Sequence, residues 1–113
     1  MILKLFGGTM EEVIEKLIEF RDNRDWKQFH TLDNLAKSIS IESAELLENF
    51  QWDDNYDKDD VEEELADVLI YSFLMAIAMD VDIKEIMLEK IGKNEKKYPV
   101  EKSKGKSNKY TEL

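Results

Sequence analysis

The sequence predicts an all-α fold of the four-helix-bundle kind, and three observations carry that prediction. Apolar residues recur at helical spacing through four separate segments. The chain holds only four Gly and one Pro, too few for the many tight turns of an all-β protein. Hydrophobic residues make up 42% of it and aromatic residues 10%, the composition of a folded chain rather than a disordered one. At 113 residues the simplest organisation is one domain over residues 1–100 with a flexible Lys-rich tail over residues 101–113.

The first helix is predicted in "MEEVIEKLIEFRDNRDW", where Val13, Ile14, Leu17, Ile18 and Arg21 follow i, i+3, i+4 spacing. Thr9 is its candidate N-cap, with Glu12 three residues on completing a capping box. The eight residues before Thr9 read as a short arm or an upstream start ahead of the second methionine, Met10. A polar connection containing Trp26 and His30, the only histidine, leads to a second helix from about Leu32 to Phe50. Thr31 is its candidate cap, and Leu35, Ile39, Leu46 and Phe50 make its apolar stripe.

The loop "QWDDNYDKDD" follows, with Trp52 and Tyr56 embedded in it. A third helix starts near Asp60, the candidate cap, and runs to about Met79. From Val68 onward it is apolar almost all round, the mark of a central or interface helix. A fourth, "DIKEIMLEKIGKNEKKY", is amphipathic through Ile83, Ile86, Met87 and Ile91 and ends before Pro99.

Composition also narrows the function. There are no cysteines, which excludes disulfides and thiolate metal sites and suits a reducing cytoplasm, the expected location. No signal-peptide pattern opens the chain and no apolar run reaches membrane-spanning length, so no membrane partner is expected. The formal charge of −10 is uneven: residues 1–89 carry 8 basic and 23 acidic side chains, residues 90–113 carry 8 basic and 3 acidic. An acidic body lacks the cationic footprint that a nucleic-acid polymer requires, while acid clusters beside a basic end suit a small anion bridged by divalent cations.

Two acid pairs focus that idea, Glu42-x-x-Glu45 on the second helix and Glu64-x-x-Asp67 on the third. Three-residue spacing puts the acids of each pair on adjacent helical surface. The 18 residues between Glu45 and Glu64 suffice to end one helix, turn and begin the return, so antiparallel packing can gather four carboxylates. Such a cluster repels itself unless a cation intervenes. Oxygen-only donors favour Mg²⁺, with Mn²⁺ as the alternative, because zinc usually takes His or Cys. Any one E-x-x-E is equally at home on a solvated helix face; both pairs beside apolar seams make the metal reading competitive. Glu64, Asp67 and Tyr71 share one stripe of the third helix. Trp26, His30, Trp52 and Tyr71 can stack and hydrogen-bond a nucleobase, although a Trp at a helix end commonly serves packing. Lys90, Lys93, Asn94 and Lys97 form a basic, amide-bearing stretch able to reach phosphates, or simply a solubilising face.

The stretches "RDWKQFHTLDNLAKSISIESAELLENFQW", "EELADVLIY" and "KNEKKYPV" together resemble the all-α nucleoside triphosphate pyrophosphohydrolases of the MazG-like superfamily, nearest to the dCTP pyrophosphatase branch. The superfamily pattern is E-E-x-x-E, a spacer, then E-x-x-D. Glu42 and Glu45 match its second and third acids and Glu64 and Asp67 the later pair, whereas Ile41 stands at the first acid. The resemblance implies Mg²⁺-dependent cleavage of a (deoxy)nucleoside triphosphate to the monophosphate and pyrophosphate, in a dimer or tetramer with sites assembled at helical interfaces. It assigns Glu42, Glu45, Glu64 and Asp67 to the metal, with Glu45 as the base that activates water. Trp26, His30, Trp52 and Tyr71 would shape the base and sugar pocket, and Lys90, Asn94 and Lys97 would meet the phosphates. Two other readings stay open: a non-catalytic acidic helical oligomer acting as an interaction module, and the same fold acting on phosphoribosyl-ATP or noncanonical nucleotides.

Overall fold

A computed structural model describes residues 9–112 of the chain; the expected N-terminal arm lies outside them. The described residues are helical, with no strand among them, and form two compact units, one ending at Val81 and the other beginning at Asp82.

The first unit holds α1 (Met10–Asn23), a 3₁₀ turn (Trp26–Phe29), α2 (Leu32–Glu48) and α3 (Lys58–Met79). Thr9 caps α1, its hydroxyl accepting the Glu12 N–H at 3.3 Å, and Thr31 caps α2 by accepting from Asn34 N. Both satisfy a backbone donor that the first helical turn leaves free. α1 stops at Asn23 rather than running to Trp26, because Asp25 turns left-handed (φ 54°) and redirects the chain into the 3₁₀ turn. Asp tolerates that conformation better than most side chains.

α2 ends at Glu48, two residues earlier than its apolar stripe suggests. The Asn49 side chain donates back to the carbonyls of Glu45 and Leu46, closing the helix there. α3 begins at Lys58, not near Asp60, because Asp57 is the cap and its carboxylate accepts from Asp60 N at 3.1 Å. At its far end Asp80 turns left-handed (φ 56°), and Asp80 N and Val81 N bond Ile77 O and Ala76 O in a Schellman-type closure.

α2 lies along α3 in the main interhelical packing, and α1 rests on α3 more lightly. Among the described residues of this unit, the fully buried apolar side chains are Leu35, 1% exposed, with Leu74 and Ala76. That is a small core for helices of this length. Between α1 and α3 an apolar groove of about 500 Å³ stays open, floored by Val13, Leu17, Leu69, Ile70 and Phe73.

The second unit contains α4 (Ile83–Lys97), capped by Asp82 accepting from Glu85 N, then α5 (Val100–Ser103) and a 3₁₀ turn (Tyr110–Glu112). The stretch expected as a flexible tail thus carries short helical structure. Pro99, with φ −58°, is preset for the first turn of α5, and its carbonyl accepts from Lys102 and Ser103. No helix among the described residues is long and apolar enough to cross a membrane.

Candidate active site

The packing of α2 on α3 brings acids from both helices together. Glu42, Glu64 and Asp67, all half-buried, each offer a carboxylate oxygen, and these oxygens lie within 4.8 Å of one another. Glu42 Oε2 and Glu64 Oε2 are fully enclosed without a hydrogen-bond donor. Enclosing a carboxylate oxygen unpaired is costly, and three clustered like charges add repulsion. Burial first, then the neighbouring Glu45, Asp67 and Glu64, push the Glu42 carboxyl up to about 7. Burial likewise raises Glu64, helped by Glu45, Asp67 and Glu48.

A hard divalent cation would remove both costs at once, supplying the enclosed oxygens with a partner and cancelling the repulsion. An all-carboxylate donor set on two rigid helices fits such an ion. Glu45 stands apart from the three: it is exposed, and it flanks the cluster closely enough to raise both Glu42 and Glu64.

Asp67 has a second role in the geometry. With Tyr71 one turn further along α3, it lines a cavity of about 180 Å³ whose other walls include Phe20 and Arg21 from α1, Trp26 and His30. The left-handed Asp25 sets this up by folding the 3₁₀ turn back, so that Trp26 meets Phe20 edge to face at 5.5 Å. Arg24 caps the same Phe20 ring, its guanidinium carbon 3.7 Å from the centroid. His30 is held below its ordinary pKa by burial and then by the positive charge of Arg21, both of which favour the neutral imidazole. The cavity is smaller than the roughly 300–1,000 Å³ of pockets that enclose whole drug-sized ligands. Its volume suits one ring-sized group, with the acid cluster at its edge through Asp67.

Three of the four aromatic or imidazole residues singled out from the sequence therefore meet in one place: Trp26, His30 and Tyr71. Trp52 does not join them; it lies in the α2–α3 loop, 87% exposed. Lys90, Asn94 and Lys97 share one face of α4 in the second unit. Two residues were not singled out. Arg21 read as one more position of the α1 stripe, although a charged residue at a core spacing is itself a signal. Glu48 continues the three-residue ladder from Glu42 and Glu45, and only the packing shows that its charge reaches Glu64.

Residues 37–113 match the model of the MazG-like family. The chain is 36% identical over 115 residues to dCTP pyrophosphatase 1 of Mus musculus and of Homo sapiens, the alignment covering 93% of this chain and 68% of each relative. Among solved structures, a pyrophosphatase from Archaeoglobus fulgidus is 45% identical, with a TM-score of 0.73, covering 82% of this chain and 94% of that one.

Proposed function

The chain belongs to the MazG-like family, and from that membership we propose that it is a divalent-cation-dependent hydrolase cleaving a (deoxy)nucleoside triphosphate to the monophosphate and pyrophosphate. The observation that carries the reading is the cluster of Glu42, Glu64 and Asp67, with two enclosed carboxylate oxygens lacking any donor. Its relatives' names, dCTP pyrophosphatase 1, point to dCTP or a modified nucleotide as the substrate, in a role that removes nucleotides from the pool. The absence of cysteine suits the cytoplasm. The acidic body argues against a nucleic-acid polymer as partner.

In this mechanism Glu42, Glu64 and Asp67 would hold the ion, with Glu45 beside them as the fourth acid, Mg²⁺ by preference for oxygen donors and Mn²⁺ as a substitute. When bound, that ion supplies charge neutralisation for the triphosphate and polarisation of the bond to be cleaved. Glu45, exposed beside the cluster, takes the proton of the attacking water. Trp26, His30 and Tyr71 seat the base next to Asp67. Trp52, exposed on the α2–α3 loop, would close over a bound nucleotide from outside that cavity. Lys90, Asn94 and Lys97 would receive the phosphate charge; their cationic and amide chemistry supports this role.

Self-association as a dimer or tetramer completes the proposal, supported by the open apolar groove between α1 and α3 and the small core beneath it. The reading as a non-catalytic module is disfavoured by the enclosed carboxylates, which a docking face does not need. The test is a panel of canonical and modified triphosphates with Mg²⁺ and separate detection of pyrophosphate and orthophosphate. Pyrophosphate release is expected, with dCTP or a modified cytosine nucleotide among the best substrates. Orthophosphate alone, or no turnover of any member, would refute the assignment.

A further inference from the structure

Arg21 is the one fully buried charged residue among the described residues, 8% exposed. Its Nε donates to Asp22 Oδ1 at 2.8 Å, and Asp22 is half-exposed. The terminal Nη atoms have no hydrogen-bond acceptor among the described residues. A guanidinium carries five donors in a rigid fork and stays charged, so Nη donors that no protein group takes are free to meet a group from outside. Arg21 lines the small cavity with Trp26, His30, Asp67 and Tyr71. Trp26 and Tyr71 are aromatic walls of the same cavity, and the Asp22 contact occupies Nε alone, leaving both Nη groups of the fork unspent.

We propose that Arg21 is the specificity-determining residue of this cavity, its Nη fork reading a base edge that places a ring nitrogen acceptor beside a carbonyl oxygen. Two adjacent acceptors match two parallel N–H donors, the geometry that makes Arg a bidentate reader of bases. Cytosine presents that pair in a single ring, as N3 and O2. Thymine and uracil place an N3–H donor there, which faces the fork donor to donor and leaves buried polar groups unpaired. Arg21 therefore favours cytosine over thymine and uracil. This rests on the nucleotide-hydrolase reading above, and the test separates the two.

The experiment measures binding of dCMP and dTMP, by intrinsic tryptophan fluorescence with calorimetry as check, in EDTA so that no cation or turnover contributes. The wild-type chain is expected to bind dCMP at least about 10-fold more tightly than dTMP, the value of one good bidentate pair. Arg21→Met keeps the apolar stem and removes the fork; its preference should collapse to within about threefold, with helical content unchanged by circular dichroism. Arg21→Lys keeps the charge without the fork and should recover only a small part of the preference. Arg21→Gln is measured alongside, so that a variant that fails to fold leaves two others to decide.

Parallel loss of dCMP and dTMP binding in the folded variants would overturn the proposal, as would an unchanged ratio. A wild type that prefers neither nucleotide would overturn it too. If the wild type discriminates in EDTA and the variants lose the discrimination, yet no triphosphate is cleaved with Mg²⁺, Arg21 stands and the hydrolase reading falls.

Discussion

The two sides of α3 are finished to different degrees. On the side facing α2, Glu42, Glu64 and Asp67 are drawn together and two of their oxygens are enclosed completely. On the side facing α1, Leu69 stays 50% exposed and, with Ile70 and Phe73, floors an open apolar groove. Charge is enclosed while grease is left open, the reverse of what the hydrophobic effect alone would produce. Each side is incomplete in its own way. The acid side has the donor set for the proposed cation, and the apolar side has the area that the proposed self-association would cover.

The largest expected effect breaks the acid side. Asp67→Asn removes a charge from the cluster and should lower triphosphate hydrolysis at least about 100-fold, with the helical circular dichroism spectrum retained. Turnover within a few-fold of wild type would remove Asp67 from the site. On the other side, Leu69→Asp puts a charge into the groove and should shift the chain to monomer at micromolar concentration, read by light scattering on a sizing column. An unchanged mass would show that copies do not meet there.

A subtler experiment sharpens the contrast through pH. Glu42 titrates near 7 in the fold, above its ordinary value, under burial and the Glu45, Asp67 and Glu64 charges. The protonated form is therefore favoured by folding, and the stability it contributes is present in full below about pH 4.5 and lost as pH rises to about 7. The cation-free chain should lose Tm over that interval, Glu42→Gln should lose less, and millimolar Mg²⁺ should flatten the wild-type profile. A wild-type profile in EDTA parallel to that of Glu42→Gln would contradict the cluster's electrostatics. The smallest effect lies at the ends of the helices: Thr31→Ala should cost about 1 kcal/mol through loss of the bond to Asn34 N, read by chemical denaturation.

Much of this contrast is legible in the sequence, and the parts that are not share a cause. Thr9 and Thr31 as caps, the helical segments and the two acid pairs follow from local spacing, which a helix obeys residue by residue. The start of α3 does not, because "DKDD" offers several carboxylates and only side-chain geometry selects Asp57 over Asp60. The end of α2 depends on Asn49 folding back on the Glu45 and Leu46 carbonyls, an option the apolar stripe cannot reveal. Arg21 was visible as a charge at a core spacing, but its meaning needed the 3₁₀ turn, set by a left-handed Asp25, to bring Trp26 and His30 around it. Periodicity places residues on faces; it does not say which two faces meet.

The central claim is that Glu42, Glu64 and Asp67 form one divalent-cation site. Mn²⁺ titration followed by electron paramagnetic resonance at pH 7.5 tests it most directly, because free Mn²⁺ gives a sharp signal that binding removes. The wild-type chain should deplete the free signal, Mg²⁺ should restore it by competition, and Asp67→Asn should leave it nearly untouched. Equal depletion by the wild type and a folded Asp67→Asn, or none by either, would contradict the site.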